Sequence, residues 1–280
     1  LTFTAAPSSN SGNNIFVYYL FRTVGTVSHP SNNALTATNG TLTGTLDVTG
    51  DATFDTSTLK VDSSNNRVGV GTATPLKPLH IQGSSEADIF LRRTDLTNKA
   101  WLFNVQSSTG DLNIKSRNDD ASASTTSMVI AHDGYVTKPL QPAFLAHPTS
   151  AITNINTGAN NSLAFATERF DNNGDYNTSN YTFTAPVTGR YLFTYHLTLN
   201  TVDEGSPFTY AHLDTSNREY YHWFDNNIQL SADATYVSFP ITVIADMDAN
   251  DTLTIQWYQG GGTAQADIST QSSLSIFLAC

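Results

Sequence analysis

Charge is what this chain has least of. Only 13% of its 280 residues are Asp, Glu, Lys or Arg, against about 25% in an average globular domain. Bases are the scarcer sign, 13 against 24 acids, for a net charge of -11. Duplex nucleic acid and anionic membrane surfaces are held mainly through Lys and Arg, so this balance argues against either as a partner. Cysteine is rarer still. Cys280, the last residue, is alone, which excludes an intramolecular disulfide framework and a zinc centre built from several cysteines of one chain. No apolar run approaches the length that spans a bilayer, so a soluble product without membrane insertion is expected. The first residue is Leu1, with no basic-then-apolar leader after it, and a segment of a longer polypeptide or a processed form is expected.

What fills the chain instead is Thr, Ser, Asn and Gly, with 12 Tyr and 15 Phe and a modest 39% hydrophobic residues. Aromatic and β-branched residues suit a pleated, half-buried surface, and their abundance separates this composition from a disordered one. The expectation is an extended, all-β, extracellular protein. Catalytic motifs are missing as well. There is no Gly-x-Ser-x-Gly elbow, no His-Glu-x-x-His helix and no Cys–His pairing, so no enzyme is expected. The acid pairs Asp119-Asp120 and Asp203-Glu204 sit in polar, turn-like stretches and read as solvated loops rather than as a glycosidase pair.

Along the chain, residues 1–5 and 15–21 are β-like runs around a turn-rich stretch, the closing hairpin of an upstream β-domain with its linker (1–33). Residues 34–54 set single apolar residues among Thr and Gly. One such strand buries too little to offset its ordering entropy. It becomes stable if copies associate, with Leu42, Leu46, Val48 and Phe54 filling a shared narrow core, so a β-rich trimeric shaft over 34–75 is expected; a flexible linker is the alternative. A small trimeric β-domain is expected over 76–138, with short strands at 89–92, 100–105, 112–114 and 128–130. Gly69 and Gly71 lack the third glycine and the helix of a phosphate loop and read as a turn with close chain packing.

The run Arg67-Val-Gly-Val-Gly-Thr-Ala-Thr-Pro75 followed by Leu79-His80-Ile81, with Gly44-Thr-Leu-Asp-Val-Thr-Gly-Asp-Ala-Thr-Phe54, resembles phrases recurrent in bacteriophage tail fibres and related trimeric fibre proteins. Large bacterial surface proteins use them too.

After Pro139 and Pro142 a compact β-domain is expected (139–280). Tyr191, Phe193, Tyr195, Leu197 and Leu199 alternate onto one face. Further apolar stripes are Val237, Phe239, Ile241 and Val243, then Leu253, Ile255 and Trp257, then Leu274, Ile276 and Leu278. Pro240 belongs at an edge or bulge. Many short strands without helix patterns imply a sandwich or jelly roll. Phe165, Asp171, Tyr176, Phe183, Gly189, Tyr191, Phe193 and Tyr195 stand at the spacing of the signature of complement C1q globular heads, which this domain resembles. Those heads are part of the tumour-necrosis-factor-like jelly-roll superfamily. Gly189, between a Pro-containing loop and a strand, is expected to turn the chain at positive φ. The resemblance implies a homotrimer with apical loops presented to ligands. No Gly-X-Y collagen stalk precedes the head; the fibre-like shaft takes its place and moves the context toward a virion or bacterial surface.

Two candidate sites follow. Tyr220-Tyr-His-Trp-Phe224 and Trp257-Tyr-Gln-Gly-Gly-Gly262 are the richest aromatic clusters. Tyr220, Trp223 and Tyr258 are candidates for a receptor surface that stacks on sugars, with core or trimer interface as the alternative. Asp246, Asp248 and Asp251 place oxygens as a calcium loop does, although the EF-hand glycine and terminal Glu are missing. The resemblance allows calcium near a trimer axis; no other cofactor is expected. Together these readings predict an all-β homotrimeric tail fibre in the virion. Its C1q-like head would attach to a bacterial host surface glycan or envelope protein, with other virion tail or baseplate proteins as partners. The alternatives are a bacterial adhesin with the same head and, third, a polysaccharide depolymerase.

Overall fold

A computed structural model describes Thr43 and residues 46–280. The chain divides into two units, Leu1–Asp51 and Ala52–Cys280. The expected hairpin at 1–5 and 15–21, and Leu42 of the shaft, lie outside the described residues. Leu46 and Val48 are exposed.

The second unit opens with β1 (Ala52–Phe54), β2 (Leu59–Asp62), β3 (Arg67–Val70) and β4 (Leu79–Ile81), one sheet in that order. The β2–β3 turn is made by polar side chains. Asp62 accepts from the Asn65 backbone N–H at 3.1 Å and from Nδ2 at 2.8 Å, and Asn66 takes φ 54°, a conformation Asn tolerates better than most residues. Arg67 donates to the Pro75 carbonyl at 2.8 Å, closing the loop that lets β4 return parallel to β3. The sheet therefore runs through the boundary expected at 75/76, and Leu79–Ile81 goes with the strands before it.

Next comes an antiparallel meander, β5 (Ala87–Leu91), β6 (Ala100–Val105), β7 (Leu112–Arg117), β8 (Ser124–Ile130) and β9 (Val136–Thr137), paired in sequence order. Register puts Ile89, Phe103, Ile114 and Met128 in one row, with Val105, Leu112, Ile130 and Val136 in the next. Paired residues share a face, so one face is apolar. The other carries a polar chain: Lys115 Nζ donates to Asn104 Oδ1 at 2.9 Å, and Asn104 Nδ2 donates to Asp88 at 2.7 Å.

The head begins at β10 (Ala143–His147) and continues through β11 (Asn161–Ser162), β12 (Thr167–Asp171), β13 (Tyr176–Asn177) and β14 (Thr182–Thr184). Then come β15 (Gly189–Val202), β16 (Thr209–Thr215), β17 (Glu219–Phe224), a one-turn helix α1 (Asn226–Gln229), β18 (Ala234–Met247), β19 (Thr252–Gln259), β20 (Asp267–Ile268) and β21 (Ser273–Leu278). One sheet has the order β12-β10-β21-β15-β18, with β20 on β15; the other has β13-β14-β19-β16-β17, with β11 on β19. Two antiparallel sheets closed over one core make a jelly-roll sandwich. All four expected stripes face that core, with Tyr191, Phe193, Tyr195, Leu197, Leu199, Phe239, Leu253, Trp257 and Leu274 fully buried. Pro240 sits on β18, the edge strand of its sheet, where a missing N–H is tolerated. No helix among the described residues is long and apolar enough to cross a membrane.

The signature residues form the heart of this core. Phe144 stacks on Tyr176 at 4.4 Å and lies 5.7 Å from Phe183, which meets Tyr191 edge-on at 5.5 Å and Phe193 at 6.3 Å. Buried tyrosines need a partner for the hydroxyl. Tyr176 donates to the Phe165 carbonyl at 3.0 Å, Tyr191 to Val187 at 2.7 Å and Tyr195 to Ala211 at 3.1 Å, and burial pushes all three hydroxyls up. Asp171 accepts the backbone N–H groups of Asn173, Gly174 and Tyr176 at 3.2, 3.0 and 2.9 Å, holding the turn that delivers Tyr176. Gly189 corrects the expectation made for it, since it is not among the residues at positive φ. It is required for close approach: a Cβ there would lie 2.8 Å from both the Cys280 carbonyl oxygen and Leu278 Cδ1.

The two long outer faces differ. On the β15 sheet, Ile244, Leu192, Phe277 and Ala143 form an apolar row across four strands, with Ile244 59% and Phe277 47% exposed. The next row, Thr242, Thr194, Ser275, Leu145 and Phe170, is mostly hydroxylic.

Phe183→Ala removes a ring that touches Phe144, Tyr191 and Phe193 and leaves a cavity at the centre of the head. It is expected to cost about 3–5 kcal/mol, read as a lower urea midpoint. A loss under about 1 kcal/mol would mean that this cluster does not organise the core.

Candidate functional site

The outer face of the β16–β17–β19 sheet carries the aromatic side chains that the core does not use. Along β16, Ala211 and Leu213 point into the core, so the pleat sends Tyr210, His212 and Asp214 outward. Register then aligns Trp223, Tyr210 and Tyr258 in one row, Tyr221, His212 and Gln256 in the second, and Glu219, Asp214 and Thr254 in the third. The first row is a stacked platform. Tyr210 lies 4.7 Å from Tyr258 at 4° between planes, and 4.5 Å from Trp223; Phe208 stacks on Tyr258 at 5.8 Å and 12°. Tyr221 continues the platform, 5.5 Å from Trp223.

Polar groups border the rings. Tyr210 donates to Asn160 Oδ1 at 2.9 Å, Tyr221 donates to the Glu219 carboxylate, and Gln256 donates to Asp214 at 2.7 Å. The bond to Glu219 pushes the Tyr221 hydroxyl up to about 12, and burial raises that of Tyr210, so both are protonated at neutral pH. In the middle row His212 is buried, and neither ring nitrogen has a hydrogen-bond partner. Buried unpartnered polar groups are uncommon, and this one lies between Tyr210 and Tyr221, 5.6 and 4.7 Å from their rings.

The platform has a rigid support behind it. Gln259 is buried, donates to the carbonyls of Gly261 and Ala264 at 2.8 and 2.7 Å, and accepts the Ala266 N–H at 3.1 Å. Asp203 accepts the N–H groups of Gly205, Thr263 and Ala264 at 2.7, 2.5 and 2.7 Å. Gly262, at φ 95°, passes so close that a Cβ would come within 2.3 Å of the Asp203 carboxylate. The Gly260 N–H donates to the Phe208 carbonyl at 2.9 Å, which ties the loop to the platform's edge. Asp203 is thus a buried anchor and not the solvated loop residue expected beside Glu204.

Of the three expected receptor residues, Trp223 (56% exposed) and Tyr258 lie on this face, while Tyr220 does not. Tyr220 packs against the core cluster with Phe224, because alternate residues of β17 point inward and the phase is set by Phe224 beneath Phe239. Tyr221 stands in its place. Phe208 and Tyr210 escaped the sequence reading, which named Tyr221 only as a member of its cluster. The outward phase of Tyr210 was legible in its alternation with Ala211 and Leu213, whereas Phe208 precedes its strand and carries no periodic signal.

The acidic stretch does not form a calcium loop within one chain. Asp246 is held by Arg218 through two bonds of 2.6 and 3.1 Å. Asp251 accepts from Ser216, Asn217 and the Asp248 N–H at 2.8, 2.5 and 2.7 Å, capping the turn that leads into β19; the Asp248 N–H bond contributes most to holding its carboxyl below the usual range. Asp248 is paired with Thr188 at 3.5 Å. Asp246 and Asp248 line a cleft of about 530 Å³ with Arg190 and Asn217, but their oxygens are directed to these separate partners. No group of three or more His, Cys, Asp or Glu side chains placed to hold a metal occurs among the described residues.

Comparison with known proteins places this sandwich. Residues 143–279, just under half of the chain, match the family model of the C1q domain, and the two-sheet sandwich described above is a jelly roll, as expected for such a head. Similar solved structures include the globular domain of zebrafish complement 1qA protein, at 15% identity and TM-score 0.38, covering 50% of this chain and 98% of that one. Murine APRIL at pH 8.0 is another, at 10% identity and TM-score 0.37, covering 49% and 98%. No curated protein matches the sequence. C1q/TNF-like domains form homotrimers and are typically binding domains without enzymatic activity.

The Asp203 carboxyl is held below its ordinary value of 3.8, first by the Ala264 N–H and then, against the opposing effect of burial, by those of Gly205 and Thr263. A depressed folded-state pKa stabilises above the unfolded value, and that stabilisation is lost as pH falls through the folded one. Asp203→Asn is therefore expected to lower the melting temperature at pH 7, with the gap to the unsubstituted protein narrowing below pH 3.8. A gap independent of pH would show that the charge on Asp203 does not hold the loop.

Proposed function

We propose that this chain is part of a homotrimeric bacteriophage tail fibre whose C1q-like head attaches to a polysaccharide on the bacterial host surface. The observation that carries the reading is the outward-facing platform of half-buried Phe208, Tyr210 and Tyr258 with exposed Trp223, bordered by Asn160, Gln256, Asp214 and Glu219. Sugar rings present an apolar C–H face and a rim of hydroxyls. Flat aromatic rings match the face, and fixed amides and carboxylates match the rim.

Homotrimer assembly is supported by the C1q family's habit and by the apolar row of Ile244, Leu192, Phe277 and Ala143, which one chain leaves open. The fibre assignment, with its place in the virion beside other tail or baseplate proteins, is supported by the phrase from Arg67 to Pro75 and by the two small sheets that precede the head in sequence. A fibre end with three heads offers three weak sites at high effective concentration, which raises avidity without any new contact. The role is attachment and not cleavage.

A glycan array of bacterial lipopolysaccharides and capsules is expected to give a ligand. The double variant Trp223→Ala, Tyr258→Ala is expected to bind it at least about tenfold more weakly, the loss of two aromatic contacts of roughly 1 kcal/mol each, with an unchanged melting temperature. Undiminished binding, no ligand on the array, or shortened polysaccharide products would each contradict the proposal.

A further inference from the structure

We infer that the connection between β5 and β6 forms a second binding site, for a sugar that carries a carboxylate. It lies outside the head and does not rest on the reading of the aromatic platform.

The bases of this chain are few and unevenly placed. Residues 139–280 hold three, Arg169, Arg190 and Arg218, while residues 91–101 alone also hold three, Arg92, Arg93 and Lys99, against one acid, Asp95. Those three line a single hollow of about 410 Å³ together with Leu91, Leu96 and Trp101, and no acid lines it. The volume is within the range of small-molecule sites, roughly 300–1,000 Å³. Leu91 and Trp101 are cross-strand partners and share a face. With Leu96 they are 43–53% exposed, an apolar floor under a cationic rim.

The cations are positioned without being used up. Arg92 Nε lies 3.5 Å from Asp119 Oδ1, and both Nη atoms of Arg92 are without a partner among the described residues. Arg93 donates Nε and Nη2 to Asp95 at 3.0 and 2.5 Å and keeps Nη1. Lys99 makes no hydrogen bond or ion pair among the described residues. The connection is itself tied down: the Asp119 N–H donates to Asn98 Oδ1 at 3.2 Å. A loop fixed beforehand loses less freedom when a ligand arrives.

This chemistry selects its ligand. An indole with two leucines takes the C–H face of a sugar ring, and free guanidinium and ammonium donors take a carboxylate, the guanidinium through paired parallel bonds. A membrane or an extended polyanion meets the net charge of -11. One carboxylate inside the hollow meets chiefly the three cations, because salt screens the more distant acids beyond about 8 Å.

Calorimetric titration of the full chain with trigalacturonic acid and with N-acetylneuraminic acid tests this. At least one is expected to bind with Kd of about 1 mM or tighter, and its methyl ester, which keeps the ring and loses the charge, at least about tenfold more weakly. Lys99→Gln and Trp101→Ala are each expected to weaken the acid sugar at least about fivefold with an unchanged melting temperature. The head variant Trp223→Ala, Tyr258→Ala is expected to bind it undiminished. No binding of either acid sugar up to about 10 mM, equal binding of the ester, or unaltered binding by Lys99→Gln would overturn the inference. So would tighter binding of inorganic phosphate or of phosphatidylglycerol vesicles than of both acid sugars. Loss of the acid sugar in the head variant would overturn this site and leave the platform reading standing; loss of the neutral glycan alone in that variant leaves this site intact.

Discussion

A β-strand sends its side chains to two faces, and a sheet with an apolar face must find a second layer. That constraint organises this molecule. In the head it is met within the chain, where two sheets close over an aromatic core and only the outer rows remain. In the β5–β9 meander Ile89, Leu91, Trp101, Phe103, Val105 and Val136 of one face are left 36–55% exposed. The same pleat that buries Leu213 and Ala211 lifts Tyr210 onto the outer surface of the head, where it joins Trp223 and Tyr258. Core and outer aromatic row are therefore two consequences of one alternation.

The low charge with which the sequence opens takes its meaning from this arrangement. On the β15 sheet one outer row is apolar and the next mostly hydroxylic, Thr194 against Thr242 and Ser275, so these two rows carry no charge. The few charges do local work instead: Arg218 on Asp246, Arg67 on the Pro75 carbonyl, Asp203 on the Gly262 loop. None of these is needed to bind an anion, and the surplus of acids around the aromatic platform suits a neutral, hydroxyl-rich ligand.

Much of the head was legible from sequence because its strands are long and alternate cleanly. The stripe from Tyr191 to Leu199 and the stripe centred on Ile255 are both buried as their period requires. What was not legible depends on neighbours distant in sequence. The phase of β17 is decided by Phe224 meeting Phe239, so the sequence could name the aromatic cluster but not choose Tyr221 over Tyr220. Gly189 looked like a turn residue, and its real constraint is the backbone at Cys280 passing beside it. Alternating oxygens at Asp246, Asp248 and Asp251 looked like a metal loop until Arg218, Ser216 and Asn217, about 30 residues upstream, claimed two of the carboxylates. Asp203 looked solvated because its three partners are backbone N–H groups, which no side-chain pattern can announce.

The proposed homotrimer stands on three chains sharing the apolar row of Ile244, Leu192, Phe277 and Ala143 on the head. Sedimentation equilibrium of the whole chain measures that directly. A mass three times the 30.3 kDa of one chain, constant across concentration, is the predicted result; 30.3 kDa at every concentration would contradict it.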